Sequence, residues 1–319
     1  MALPGGQLTF SINESGIMVE PQLGMSMEGL IEIARKAEEL GFGYFFRSDH
    51  ILPTDERRGI DSPECWTSLG VLTASTSKIK FGPLVSPIGF RNPALLAKMA
   101  CTIHSASHGR LQLGVGAGWY EVEYRAHGFP FPDFHTRVAQ FAEALEIISA
   151  MVNEGKVDYE GTYFSAHTDC MPRPTGHMHM IIGGRTKPVV RLAARFADEW
   201  NTFRSSSGDL AGLKALLAER SGGRTIEVTE MSPYLIARSQ SKLEEYAALQ
   251  ASTLGQRISS KDVIARMKAR GAPCGTAQEF VDQLRSMSDS GFKRIYFQTL
   301  VPQNTSMTEL LADTLRGSL

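Results

Sequence analysis

"MHMIIGGRTKPVVRLAARFADEWNTF", residues 178–203, carries the reading of the fold. Met178 to Ile182 is a short apolar run suited to a buried strand. Gly183-Gly184-Arg185-Thr186 interrupts it, and Pro188 to Ala197 follows as a helix. Glu199 to Phe203 then returns to a strand pattern. Strand, turn, helix and strand in so short a span make a βαβ unit, whose strands are parallel.

The alternation extends in both directions. Leu8 to Ile12 is expected to be the first strand. Ser26 caps a helix with the stripe Met27, Leu30, Ile31, Ala34, Ala37 and Leu40, closed by Gly41. Gly43 to Phe46 is a strand, Cys65 to Ala74 a helix, Ile79 to Val85 a strand, and Pro93 to His104 a helix. Leu111, Leu113 and Val115 mark a fourth strand. Phe134, Val138, Phe141, Leu145, Ile148 and Val152 recur at helical spacing. Thr225 to Ala237 contains a seventh strand. A capping box, Thr276 to Glu279, opens a helix that runs to Ser290 and Gly291. Arg294 to Leu300 is the eighth strand, and a helix follows. Eight such units predict an α/β fold: a (β/α)8 TIM barrel with insertions in the βα loops, one domain over residues 1–319. An open doubly wound sheet is the competing arrangement, but no linker divides the chain. Two excursions, 116–133 and 153–177, exceed ordinary loop lengths and are expected to build the site.

Composition narrows the class. Of 319 residues, 42% are hydrophobic and 21% charged, which excludes disorder; no apolar run is long enough for a membrane span. A net charge of -1 gives no argument for nucleic acid or an anionic membrane. The N-terminus lacks a secretion signal, and Cys65, Cys101, Cys170 and Cys274 are scattered, so a reduced, cytoplasmic protein is expected.

In a barrel, function collects at the C-terminal ends of the strands. Ser48-Asp49-His50 follows strand two, Ser86-Pro87 strand three, Gly114 to Trp119 strand four and Gly183 to Thr186 strand five. Asn201, Phe203 and Arg204 end strand six; Gln298 and Thr299 lie near the end of strand eight. Together they imply one large pocket. Ser48 and Asp49 read either as the rim of that pocket or as a helix cap. Gly183-Gly184-Arg185-Thr186 opens a helix, so it reads either as an anion cradle or as a tight turn. Gly114 to Gly118 is G-x-G-x-G and lacks the dinucleotide spacing; its glycines are expected to let a flat ligand lie against backbone. Glu121 and Glu123 could form a carboxylate pair for acid–base work. Trp119 and Tyr120 could wall a planar ligand. His167, Asp169, Cys170, His177 and His179 suggest a metal, but His177 and His179 precede their strand, so no metal is expected. His104 and His108 are read as structural.

Five segments resemble one family: "FRSDHILP", "GPLVSPIGFRNP", "GRLQLGVGAGWYEVEYRAHGFPF", "IIGGRTKPVVRLAARFADEWN" and "GTAQEFVDQLRSMSDSGFKRIYF". They are similar to the bacterial-luciferase-like flavin and deazaflavin oxidoreductases, in the branch that uses coenzyme F420. The resemblance implies a barrel that is commonly a homodimer, with the cofactor in its mouth. It implies that His50 lies beside the cofactor ring, with Asp49 next to it. Leu84-Val85, with Ser86, falls at a non-prolyl cis peptide behind the ring. Gly183, Gly184 and Arg185 fall at the cofactor phosphate. Ala117 and Gly118 fall beside the ring. Ala117 stands where some members place a hydroxyl residue. Trp119 stands where sugar-phosphate dehydrogenases of the family carry a catalytic glutamate, which leaves Glu121, Glu123 or His50 alone as proton donor. The implied activity is hydride transfer between the deazaflavin C5 and a small organic substrate. Two alternatives keep the fold: an FMN monooxygenase served by a partner flavin reductase, and a non-catalytic cofactor-binding protein. A metal-dependent barrel hydrolase is a third.

Overall fold

Runs of about four buried residues alternate with amphipathic helices along the chain, and that alternation bends the strands into a ring. The computed structural model describes residues 10–53, 59–203, 209–288, 290–301 and 304–317. Its strands are β1 (Gly16–Val19), β2 (Tyr44–Arg47), β3 (Lys80–Pro83), β4 (Ser86–Pro87), β5 (Leu113–Gly116), β6 (Lys156–Glu160), β7 (Ser165–Asp169), β8 (Met180–Gly183), β9 (Glu199–Thr202), β10 (Glu227–Pro233), β11 (Leu235–Ala237), β12 (Cys274–Thr276) and β13 (Arg294–Thr299). The helices are α1 (Met27–Glu39), α2 (Cys65–Ser75), α3 (Pro93–Ala106), α4 (Glu121–Ala126), α5 (Phe134–Glu154), α6 (Lys187–Phe196), α7 (Leu210–Arg220), α8 (Gln240–Thr253), α9 (Ser260–Ala269), α10 (Ala277–Ser288) and α11 (Thr305–Arg316).

The main sheet is parallel, in the order β3-β2-β1-β13-β10-β9-β8-β5-β4. Its two ends, β3 and β4, are successive pieces of one strand broken at Leu84-Val85, and Phe81 makes a parallel bridge to Leu111 beside β5. The sheet is therefore a nearly closed ring of eight positions, the (β/α)8 barrel. Met18, Tyr44, Phe46, Leu84, Ile181 and Tyr296 fill its interior. A much larger apolar layer, from Phe10 to Leu315, lies between strands and helices.

Local chemistry explains the helix ends. Ser26 Oγ accepts the Gly29 N–H at 3.1 Å, and Gly41 adopts φ +84, the left-handed turn that suits glycine. Asn92 and Asp133 cap α3 and α5 in the same way. In α6, Val189, Val190, Ala193 and Ala194 form the buried stripe.

Several elements differ from the sequence expectation. The first strand is Gly16–Val19, not Leu8 to Ile12: Leu8 and Thr9 lie outside the described residues, and Ile12 opens a 3-10 turn. Phe10 is apolar because it is core, not because it is strand. The excursion 153–177, expected to be a βα loop that helps build the site, instead holds the antiparallel hairpin β6–β7 between α5 and β8, an αβ connection at the end of the barrel away from the mouth. Glu143, on α5, ties its tip down by accepting the N–H groups of Thr162, Tyr163 and Phe164 at 2.8–3.0 Å. The first excursion holds α4. Among the described residues, no helix is long and apolar enough to cross a membrane.

Candidate active site

Arg47, the last residue of β2, is fully buried and faces out of the barrel toward α2. Its guanidinium donates to the carbonyls of Ser48 and Pro63, both at 2.9 Å, and to Ser68 Oγ at 2.6 Å. That fixes the chain as it leaves the strand. Asp49 then points into protein. Its Oδ2 accepts from Ser86 Oγ at 2.6 Å and from Arg91 Nη1 at 2.7 Å, and Oδ1 accepts from Arg91 Nη2 at 3.2 Å. Trp66 Nε1 donates to Ser86 Oγ at 2.9 Å, and Arg91 also pairs with Glu64. Asp49 and Ser86 are thus buried and already partnered, and they brace the rim from behind.

His50 is the residue of this run that reaches the mouth. Its Nδ1 lies 2.8 Å from Glu123 Oε1, and Glu123 Oε2 accepts the Ile51 N–H at 3.2 Å. Burial pulls the imidazole down. The hydrogen bond and charge of Glu123, with Glu20 and Asp49 behind it, outweigh that and hold His50 above the ordinary histidine value. Trp119 meets the His50 ring edge-on, centroids 5.6 Å apart, and is 65% exposed; Tyr120 stands at 6.2 Å.

Glu121 and Glu123 do not converge. Two residues apart on α4, they face opposite ways. Glu123 is buried against His50, while Glu121 Oε1 pairs with Arg125 at 2.5 Å on the exposed side.

The glycines around the break in strand three act chiefly on protein. The Leu84-Val85 peptide is cis. A Cβ on Gly114 would meet the Pro83 carbonyl oxygen at 2.1 Å, one on Gly116 would meet Val85 Cγ2 at 2.8 Å, and one on Gly183 would meet both Val85 methyls at 3.0 Å. These three positions are open so that β3, β4, β5 and β8 can close around Val85. Gly118, at φ +79, leaves room for the Tyr124 hydroxyl, and Ala117 beside it packs against the apolar layer. The flat-ligand reading of these glycines thus meets a packing role at Gly114, Gly116 and Gly118.

Gly184 has φ +144, a conformation open to glycine, and its N–H turns to the Asn201 carbonyl at 3.3 Å. The next residues enter α6, whose N-terminus has no side-chain cap. Its leading N–H groups and the helix dipole make a cradle that an anionic group fits. Arg185 stands over the Phe203 ring at 5.1 Å. Arg204 lies outside the described residues.

Sequence reasoning missed a polar group on the opposite wall. Glu20, directly after β1, joins Gln22, Ser48 and Gln298. A charged residue behind an apolar run is the signal that could have found it, but the apolar run at Leu8 to Ile12 competes with Gly16–Val19 as the first strand.

His179, Glu199 and Glu227 bring ligand atoms within 4.8 Å at the N-terminal ends of β8, β9 and β10. Arg294 already fills that position: its Nη1 lies 3.2 Å from Glu199 Oε2 and bonds Glu227. Elsewhere His167 pairs with Asp158 and Glu160 on the exposed hairpin, His177 with Asp198 at 3.0 Å, and His104 Nδ1 accepts the Thr175 N–H.

Residues 8–294 match the family model described as "Luciferase-like monooxygenase", and the chain belongs to that family. The F420-dependent glucose-6-phosphate dehydrogenase of Microbacterium testaceum (strain StLB037) is 27% identical over 295 residues, 84% of this chain and 86% of its own. The protein of the same name from Intrasporangium calvum is 32% identical over 173 residues; the match spans about half of each chain, 53% and 52%. Among solved structures, an F420-dependent secondary alcohol dehydrogenase in complex with an F420-acetone adduct superposes with a TM-score of 0.79. It has 18% identity and covers 97% of this chain and 99% of that one, which is a likeness of fold.

Proposed function

We propose that this chain is an F420-dependent oxidoreductase, a dehydrogenase or reductase of a small organic substrate, with His50 and Glu123 as its proton-handling pair. The observation that carries the reading is the part-buried His50–Glu123 contact at the C-terminal end of the barrel, beside the exposed ring of Trp119. Relatives named as F420-dependent dehydrogenases support the cofactor class.

When bound, the deazaflavin supplies a hydride acceptor or donor at C5. The α6 N-terminus, entered through Gly183, Gly184 and Arg185, would hold its phosphate. Leu84, Val85 and Trp119 would face it on the adjoining side, with Ser86, Ala117 and Gly118 packed behind them. Asp49 holds the loop of His50 in place through Ser86 and Arg91. His50, whose pKa the Glu123 carboxylate raises, can in its protonated form donate from Nε2 to an oxygen that gains negative charge as hydride arrives. It can take that proton back in the oxidative direction. Trp119 and Tyr120 shield the imidazole from water on one side.

We read the whole chain as one domain, supported by the continuous apolar layer from Phe10 to Leu315. We read it as a homodimer. The outer face of α2 is Thr67, Gly70, Val71 and Ala74, without a charge, and Leu95 of α3 is 54% exposed beside it. A Cβ on Gly70 would meet nothing within the chain, so the helix interior carries a glycine that its own fold does not require. All four cysteines are buried and free, which supports a reducing, cytoplasmic setting.

The test is single-turnover oxidation of reduced F420 against a panel of ketones, aldehydes and enones, followed through the deazaflavin absorbance. Re-oxidation that depends on enzyme and substrate but not on oxygen supports the dehydrogenase. Oxygen-dependent turnover with reduced FMN instead would replace it by the monooxygenase.

A further inference from the structure

The interior residues Met18 and Tyr296 fix which side chains face the mouth above them. Side chains alternate along a strand, so Glu20 and Gln298, each two residues further on, share that inner face. They bond each other: Gln298 Nε2 donates to Glu20 Oε1. Gln22 Nε2 donates to Glu20 Oε2 at 2.5 Å, and Gln22 Oε1 accepts from Ser48 Oγ at 2.7 Å. Glu20 is 8% exposed. Among the described residues, no Lys, Arg or His lies within ion-pair distance of it.

The other mouth carboxylates are compensated, Asp49 by Arg91 and Glu123 by His50. A carboxylate offers about four acceptor positions, and neutral amides fill two of those on Glu20. A buried carboxylate with only neutral partners is poorly compensated until a cation or strong donor completes it. Its place in the ring matters too. From β1 to β8 is four strands in either direction, through β13, β10 and β9 or through β2, β3/β4 and β5. Glu20 therefore stands diametrically across the mouth from the anion cradle of α6, and next to β2, whose following loop carries His50.

We propose that Glu20 is a substrate-recognition residue, and that the substrate carries a protonated nitrogen, an amine or amidine, which Glu20 receives. This rests on the reading that the cofactor phosphate occupies the α6 end, leaving the β1 end to substrate. The two amides hold the carboxylate in one rotamer, and Ser48 holds Gln22. An anionic substrate of the same size meets a like charge there that no cation contacts directly among the described residues.

The test uses benzamidine, benzamide and benzoate, three probes of one shape and three charges, with binding heats measured on the apo-protein and on the F420-loaded protein. Benzamidine is expected to bind and benzoate to bind at least about tenfold more weakly, while Glu20→Gln lowers benzamidine affinity about ten- to hundredfold and leaves benzamide unchanged. Benzoate binding as well as benzamidine overturns the proposal, and that wild-type comparison decides even if the variant does not fold. Benzamidine binding unchanged in a folded Glu20→Gln overturns it too. F420 affinity is measured in parallel. A loss of F420 affinity in Glu20→Gln, with benzamidine unaffected, assigns Glu20 to the cofactor and overturns the proposal. Failure of the wild type to bind F420 sinks the cofactor reading alone, and the apo-protein arm still decides Glu20.

Discussion

His50 Nδ1 and Glu123 Oε1 meet at 2.8 Å across 73 residues of sequence, joining the loop after β2 to α4. The contact holds His50 above the ordinary imidazole value of 6.5, against the downward pull of burial. A group whose folded value is raised stabilises the fold fully below its unfolded value, and that contribution is lost as pH rises through the folded value. The pair's contribution is therefore complete below about pH 6.5 and fades above it. In Glu123→Gln only burial and the more distant carboxylates remain. The His50 resonance in an NMR titration is expected to move to lower pH in that variant, and the denaturation midpoint to lose this pH dependence. An unmoved resonance would remove Glu123 from the site.

Arg91 meets Asp49 through two hydrogen bonds, with the carboxylate fully buried. Removing one partner of such a pair leaves a buried charge, at a cost of about 3–5 kcal/mol. Arg91→Met is expected to lower stability by that order in denaturant titration. Adding Asp49→Asn should recover much of it, because the charge then left without a partner is that of the half-exposed Glu64 and no longer a fully buried one.

Gly114 is needed for packing rather than for flexibility. Its added Cβ would fall 2.1 Å from a backbone oxygen, which no rotamer change relieves. Gly114→Ala is expected to destabilise by about 1–3 kcal/mol or to shift β5 away from β3, read as a lower melting temperature. An unchanged melting temperature would contradict the closed packing around Pro83.

The uncharged face of α2 predicts association. Sedimentation is expected to give a dimer, and Val71→Lys to give a monomer, since a charge buried in that face would lack a partner. A wild-type monomer at all concentrations would rule the face out.

Much of the barrel was legible because helices of ten residues or more repeat their apolar stripe often enough to be seen, as α5 and α6 do. The first strand was not. Gly16–Val19 has four residues, too few to show a period, and the apolar Leu8 to Ile12 run nearby drew the assignment. With the strand placed there, Glu20 does not stand at a strand end, so the sequence does not mark it as a mouth residue. His50 and Glu123 were both visible as polar residues after strands. Their pairing was not, because contact between residues 73 apart is set by how α4 meets the loop after β2. Likewise, Gly114 and Gly116 looked like ligand-facing positions in a sequence that says nothing of Val85.

Fluorescence titration of the purified apo-protein with F420 and, separately, FMN, repeated on Gly184→Asp, decides whether the barrel mouth is a deazaflavin site. Tight F420 binding is expected, with FMN much weaker. Gly184→Asp is expected to lose F420 strongly, because it places a carboxylate and a strained φ at the entrance to α6. Tighter FMN than F420 binding, or F420 binding indifferent to Gly184→Asp, would contradict a deazaflavin site.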